Sequence, residues 1–270
     1  MAHTEIAYAK INLALHVRRR REDGYHELET LFAFVDDGDW LTASPSSRDI
    51  LHVKGEFAGG LDDPFGNIVS KALARLNHVP GWTVSLDKRL PVAAGLGGGS
   101  ADAGAIFRMI ERWGGLPENW REIATSLGAD VPACVQSRTC IGRGTGVELK
   151  PADDALAGTH VLLINPRKPL ATGQVFKAWD GRDRGALPEG DVRAITLAGR
   201  NDLEVPAIAL CPAIADVLRA LEETSPWLAR MSGSGATCFG LYENEDAMRV
   251  AAEGLSARHP EWWSMMGRLR

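Results

Sequence analysis

The chain has 270 residues, 45% of them apolar and 24% charged, with a formal net charge of −5. That composition fits a globular protein of one large domain or two modest ones and excludes a largely disordered chain. The acidic balance argues against nucleic acid as a partner, because such a surface needs a basic face.

MAHTEIAYAK lacks the apolar segment of a secretory signal, and no apolar run approaches a membrane span. The expectation is a cytoplasmic protein with no membrane partner. Four cysteines, none in a C-x-x-C pair, read as reduced. The seven histidines show no metal-ligand spacing.

In chain order, Ile11, Leu13, Leu15 and Val17 alternate with Lys10, Asn12 and His16, the period of a strand. Lys10 and Asn12 then share the face opposite the apolar row, normally the solvent side. The basic run Arg18 to Arg21 reads as a solvated loop, with contact to an anionic substrate as the sharper alternative. LETLFAFVDD reads as a second strand closing in an acidic turn at Gly38, so a hairpin is expected. Residues 67–78 have helical spacing, with Asn67 near the start. TVSLDKRLP is a strand that stops at Pro91.

Next comes RLPVAAGLGGGSADAGAI. Beyond Ser100 the apolar positions Ala103, Ile106, Phe107 and Ile110 follow a helical period. A shorter helix is expected at about 118–127, and ADVPACV sets Asp130 two residues before a proline. A composition shift at 150–158 places a domain boundary at 153/154. Beyond it HVLLINP is a buried strand, CPAIADVLRALEE a helix, MSGSGATCFGLYE a glycine turn entering a strand, and DAMRVAAEGLSAR a helix. This interleaving is that of a ferredoxin-like split βαβ unit.

The glycine loop is neither a Walker A loop, having no G-K-[ST], nor a dinucleotide fingerprint, since the sixth position from Gly95 is Ser100. It has the ingredients of an anion site all the same. Gly95, Gly97, Gly98 and Gly99 can adopt positive φ and bare their N–H groups, Ser100 can cap the helix, and the helix N-terminus favours phosphate. A tight strand-to-helix turn would need only one or two of these glycines.

P-x-x-x-G-L-G-G-G-S-[SA] resembles the ATP-phosphate loop of the GHMP kinases. AYAKINLALHV with DGYHELETLF, LGADVPACV, RNDLE and MSGSGAT resemble, in order, the motifs of one member family, the 4-diphosphocytidyl-2-C-methyl-D-erythritol kinases. The resemblance implies an α+β, two-domain GHMP kinase fold. Residues 1–153 would form a ribosomal-protein-S5-domain-2-like N-terminal domain and 154–270 a ferredoxin-like C-terminal domain.

It also implies ATP-dependent phosphorylation of the 2-hydroxyl of a cytidine-diphosphate-linked methylerythritol in isoprenoid precursor synthesis, by a monomer or homodimer. Lys10 and Asp130 would be catalytic. Pro91, Val92, Ala93, Ala94, Gly95, Leu96, Gly97, Gly98, Gly99, Ser100 and Ala101 would bind ATP, with Asn67 near its adenine. Asn12, Tyr25, His26, Thr172 and Phe176 would bind the substrate, the two aromatic rings and His26 at its cytosine. From the residues alone, Asp130 reads as a turn or capping aspartate, Asn67 as a helix cap and Phe176 as core. Mg²⁺ would accompany ATP, with Ser100 as a ligand. The chain departs from the family's usual Ser-Asn with Ala101-Asp102, so that the Asp102 carboxylate is expected to repel the triphosphate or to help hold Mg²⁺.

Overall fold

The alternation at Ile11–Val17 is the middle of a much longer strand, β1 (His3–Arg20). It is buried on both faces: Lys10 is 4% exposed, Asn12 2% and His16 0%. The polar face expected to meet solvent is therefore interior. β2 (His26–Ser46), which pairs with β1, runs straight through Gly38 rather than turning there. A side chain at Gly38 would collide with the Ala7 carbonyl and reach within 3.0 Å of the Ala9 nitrogen. The glycine thus permits close strand approach, not a turn.

The computed structural model describes residues 3–59, 61, 63, 66–78 and 80–270. After β2 come β3 (Ile50–Lys54), α1 (Ile68–Arg75), β4 (Gly81–Asp87), α2 (Gly98–Gly114), α3 (Trp120–Leu127) and α4 (Val131–Gln136). The chain continues with β5 (Cys140–Gly144), β6 (Glu148–Pro151), β7 (His160–Asn165), α5 (Thr172–Ala178), α6 (Val192–Ala198), α7 (Glu204–Leu210) and α8 (Ala213–Glu222). It closes with β8 (Leu228–Met231), β9 (Cys238–Tyr242), α9 (Glu245–Arg258) and β10 (Trp263–Arg268). Among the described residues no helix is long and apolar enough to cross a membrane.

The chain divides into two units that are discontinuous in sequence. One contains Met1–Lys10, Asp37–Val92 and Gly97–Ser137; the other contains Ile11–Asp36, Ala93–Leu96 and Arg138–Arg270. The composition shift suggested one cut, whereas each of the two long strands contributes a half to either unit.

In the first unit β3 lies parallel to β4, and β4 is antiparallel to residues 40–46 of β2. Helix α2 buries Ala103, Ile106, Phe107 and Ile110, the stripe its periodicity marks. In the second unit residues 28–32 of β2 pair with β5, and β5 with β6. A separate antiparallel sheet has the order β10-β7-β9-β8, with α8 entering β8 and α9 entering β10. This is the ferredoxin-like arrangement expected for the C-terminal part. Its core gathers Ile214, Val217, Leu221, Met231, Cys238 and Leu255.

The basic run after β1 is satisfied inside the second unit. Arg18 meets Glu29 and Asp183, Arg19 meets Glu27, and Arg21 meets Asp23. Arg20 donates to the carbonyls of Lys177 and Trp179 at the end of α5. Nearby, His16 uses both ring nitrogens. Nδ1 lies 3.1 and 2.9 Å from the Gly185 and Ala186 carbonyls, and Nε2 accepts from the Arg200 N–H at 3.2 Å. Those partners fix the neutral tautomer with the proton on Nδ1.

Burial, then the Arg200 charge, lowers the His16 pKa. The unfolded chain therefore takes up a proton near the ordinary value of about 6.5, while the native ring resists until lower pH. Stability is fully present above that range and falls as the pH drops through it. Urea midpoints measured from pH 7.5 down to 5 should fall for the wild type and fall less steeply for His16→Gln.

Candidate active site

Within the first unit, Lys10 and Asp130 form an ion pair, Nζ to Oδ2, at 3.2 Å. The Lys10 side chain is 5% exposed and that of Asp130 32%. Asp130 immediately precedes α4 but makes no side-chain capping bond there. Its carboxylate is turned to the lysine, which separates it from the turn aspartate that spacing alone favours.

The turn into α2 is built differently from the expectation. Gly97, not Ser100, is the N-cap residue, with φ +62°, and Gly98 already opens the helix. Positive φ falls on Ala93, Gly95 and Gly97 rather than on Gly98 and Gly99. Ser100 is half-buried in the first turn. The first N–H groups of a helix have no partner within it, which leaves those of Gly98, Gly99 and Ser100 as anion donors.

Two residues of the expected ATP set lack such a donor. Ala101 spends its N–H on the Gly97 carbonyl at 2.8 Å, and its side chain is 1% exposed. Pro91 is buried and has no N–H to give. Val92 is 50% exposed. Asn67 is 8% exposed, and its Oδ1 caps α1 by accepting from the Val69 N–H at 2.9 Å.

Asp102 departs furthest from the expectation. It is 3% exposed, and Oδ2 accepts from Lys88 Nζ at 2.7 Å. The same ammonium donates to Asp39 Oδ2 at 2.5 Å. The carboxylate is therefore occupied by a buried lysine. Among the described residues no three His, Cys, Asp or Glu side chains gather as a metal cluster.

The second unit holds the other candidates. Asn12 donates from Nδ2 to Thr30 Oγ1 at 2.7 Å, and its backbone N–H donates to Ser232 Oγ at 3.2 Å. Ser232 Oγ in turn donates to the Gly95 carbonyl at 2.8 Å, while the Thr237 N–H donates to the Ala94 carbonyl at 3.1 Å. Leu96, the remaining residue of this loop segment, is buried. Asn201 Nδ2 donates to the Met231 and Gly233 carbonyls, each at 2.8 Å. The RNDLE and MSGSGAT segments thus brace Asn12 and the middle of the glycine loop.

His26 and Phe176 pack ring to ring at 4.9 Å, and Trp179 stands edge-on to His26 at 5.8 Å. His26 Nε2 and Trp179 Nε1 are buried with no hydrogen-bond partner among the described residues. Burial, then the Arg20 charge, lowers the His26 pKa and keeps the ring neutral, able to donate and accept. Tyr25 is 62% exposed. Thr172, at the start of α5, shares a hydrogen bond of 2.9 Å with Ser234. Phe176 also packs against the apolar core, so part of its ring is structural.

The sequence reading did not single out Lys88, Asp39, Ser232, Asn201 or Trp179. Asn201 and Ser232 stand in motifs that marked the family without revealing a role. Lys88 and Asp39 left no signal, because a lysine just past a strand and an aspartate in an apparent acidic turn normally face water.

The N-terminal domain of the GHMP kinases matches residues 67–138, and their C-terminal domain matches residues 186–261. A 4-diphosphocytidyl-2-C-methyl-D-erythritol kinase of Novosphingobium aromaticivorans is 65% identical over 270 residues, covering 100% of this chain and 94% of its own. The chain belongs to the 4-diphosphocytidyl-2-C-methyl-D-erythritol kinase family. A second family member, from Erythrobacter litoralis, is 59% identical and covered to 99%, as is this chain. The crystal structure of a 4-(cytidine 5'-diphospho)-2C-methyl-D-erythritol kinase superposes with a TM-score of 0.83 at 35% identity, over 99% of each chain. As a member of this kinase family the chain is an ATP-dependent small-molecule kinase with the two-domain GHMP fold.

The glycine at 97 offers a direct test of the turn. A Cβ there would sit at positive φ and lie 3.0 Å from Lys10 Cε and 3.6 Å from Asp130 Oδ2. Gly97→Ala should raise the KM for ATP and lower kcat, together about 10²-fold in kcat/KM, the scale of a 1 Å misplacement. Steady-state kinetics on the folded variant measures it.

Proposed function

We propose that this kinase transfers the γ-phosphoryl group of ATP to the 2-hydroxyl of 4-diphosphocytidyl-2-C-methyl-D-erythritol, a step of the methylerythritol phosphate route to isoprenoid precursors. The observation that carries the reading is the Lys10–Asp130 pair, which borders the Gly97 turn into α2. Phosphoryl transfer needs positioning, charge neutralisation and an acceptor for the hydroxyl proton. The α2 amides hold phosphate oxygens. Lys10 orients Asp130 and balances charge that develops on the transferred group. Asp130 takes the proton as the hydroxyl oxygen bonds to phosphorus and the bond to the leaving ADP oxygen breaks.

The cytidine end is read in the second unit. Tyr25 and Phe176 supply flat apolar faces for the base, and His26 Nε2, with no hydrogen-bond partner among the described residues, meets its polar edge. Buried polar atoms in native proteins are nearly always satisfied, so an unsatisfied one calls for an explanation, and a ligand supplies it here. Asn12 and Thr172 complete the substrate side, Asn12 toward the erythritol or phosphate part. Asn67, fixed as the α1 cap, lies toward the adenine.

The donor set fits a magnesium ion held mainly by phosphate oxygens and water, with the Ser100 hydroxyl as the protein ligand. When bound, the ion supplies neutralisation of phosphate charge. Asp102 is excluded from that role by its bonds to Lys88. We place the reaction in the cytoplasm, a reading supported by four buried cysteines, none of them in a disulfide. A division into domains at 153/154 is supported by the two family matches, which end at 138 and begin at 186.

A coupled ADP-release assay across small alcohols, with and without the cytidine diphosphate group, tests the assignment; equal turnover of both kinds would refute it. Asp130→Asn should cut kcat by roughly 10²–10⁴ while the thermal midpoint stays near wild type. His26→Ala should raise the KM for the cytidine substrate and leave that for ATP within about twofold, and parallel losses would assign His26 a structural role.

A further inference from the structure

Three charged groups outside the reacting set meet in the first unit. Lys88 is 3% exposed, Asp39 0% and Asp102 3%. Lys88 Nζ donates to Asp39 Oδ2 at 2.5 Å and to Asp102 Oδ2 at 2.7 Å. Asp39 Oδ1 accepts the backbone N–H groups of Arg89 at 2.6 Å and Leu90 at 2.8 Å. The lysine head also lies under the first residue of α2, where a Cβ at Gly98 would be 3.1 Å from Nζ.

The sequence places these bonds on either side of the glycine loop. Residues 88–90 lead into it from β4, and Asp102 follows it in α2. Asp39, on β2, grips the entry through both amides and the lysine. Lys88 then joins the entry to the first turns of the helix. The chain between is closed at its base, so the loop's span and the direction of the Gly98–Ser100 amides are set by these bonds.

The charge count adds a second point. One ammonium faces two carboxyl groups, and Asp102 Oδ1 is buried with no hydrogen-bond partner among the described residues. Asp39 accepts three bonds and is the better-satisfied carboxylate. An ionised Asp102 would leave a net buried charge and a bare oxygen.

We propose that Lys88, Asp39 and Asp102 form a clasp that positions the phosphate-binding turn, and that the Asp102 carboxyl carries a proton, making the buried cluster neutral. The proposal rests on the reading of that turn as the ATP phosphate site. Burial, with the like charge of Asp39 and against the pull of Lys88, raises the Asp102 pKa, which agrees.

The test compares Asp102→Asn, Asp102→Ala and Gly97→Ala by thermal midpoint, the KM for each substrate and kcat. Asp102→Asn, a neutral group of the same shape, should keep the KM for ATP within about threefold of wild type. Asp102→Ala should raise it about 10- to 100-fold with the acceptor KM unchanged, the scale of a misplaced binding group. A lowered midpoint with unchanged ATP KM in Asp102→Ala, beside a raised one in Gly97→Ala, overturns the clasp as a positioning device. An unchanged ATP KM in both instead overturns the phosphate reading of the turn.

Should Asp102→Ala not fold, Lys88→Arg replaces it. The planar guanidinium presents its donors in a different geometry from a single ammonium and should raise the KM for ATP; an unchanged value overturns the clasp. The proton is read separately. The infrared difference spectrum of wild type minus Asp102→Asn at neutral pH should contain the C=O band of a protonated carboxyl, and a carboxylate band alone overturns that assignment.

Discussion

The contact between Lys10 and Asp130 is the interaction around which this part of the first unit is arranged. An ammonium can sit at 4% exposure only if it is paired, and Asp130 is its salt-bridge partner at 3.2 Å. That requirement fixes the end of α3, the turn into α4 and the approach of Gly97, whose missing side chain leaves room for the lysine stem. The neighbouring ammonium holds the Asp130 carboxylate in one place, and phosphoryl transfer depends mainly on placement.

A P-loop brings a lysine to the phosphates on the loop itself. This turn does not; as the proposed phosphate site it relies on amides that point the right way before ATP arrives. Amide donors at a helix terminus are individually weak, about 0.3–1 kcal/mol for an exposed anion. Their value lies in being fixed together, and a glycine-rich segment is the least fixed stretch a chain can have. The structure meets that conflict with bracing. In the second unit Ser232 and Thr237 hold the middle of the loop by its carbonyls. In the first, buried ions hold the chain on either side of it.

Most of the architecture was legible in the sequence, because it follows from periodicity. The α2 stripe, the C-terminal strands β7 and β9 and the helices α8 and α9 are where the residue pattern puts them. The failures have physical causes. Gly38 reads as a turn because glycine next to aspartates usually is one, yet here it marks two backbones in contact. Lys10, Asn12 and His16 read as a solvent face because a period of two cannot distinguish water from a second layer of protein. Pairing partners distant in sequence, such as Lys88 with Asp39, leave no local trace. Lys10 and Asp130, both singled out by motif resemblance, form an ion pair. Trp179 was not singled out, since a tryptophan beside a helix end is ordinarily core.

Asp102 shows what local geometry could have corrected. Ser100 and Asp102 are adjacent in a motif and so invite a shared role at the phosphates. On a helix, residues two apart point about 200° away from each other. Once α2 begins at Gly98, Ser100 and Asp102 cannot serve the same ligand. Gly98 and Asp102, four apart, lie one above the other on one face. That is the face where Lys88 is found, touching the position of one and bonded to the other. The change from the family's usual residue therefore alters the underside of the turn rather than its phosphate side. An amide at this position can be neutral without a proton, whereas a carboxyl must bind one to be so. The two residues then differ in what keeps the cluster uncharged, not in what touches ATP.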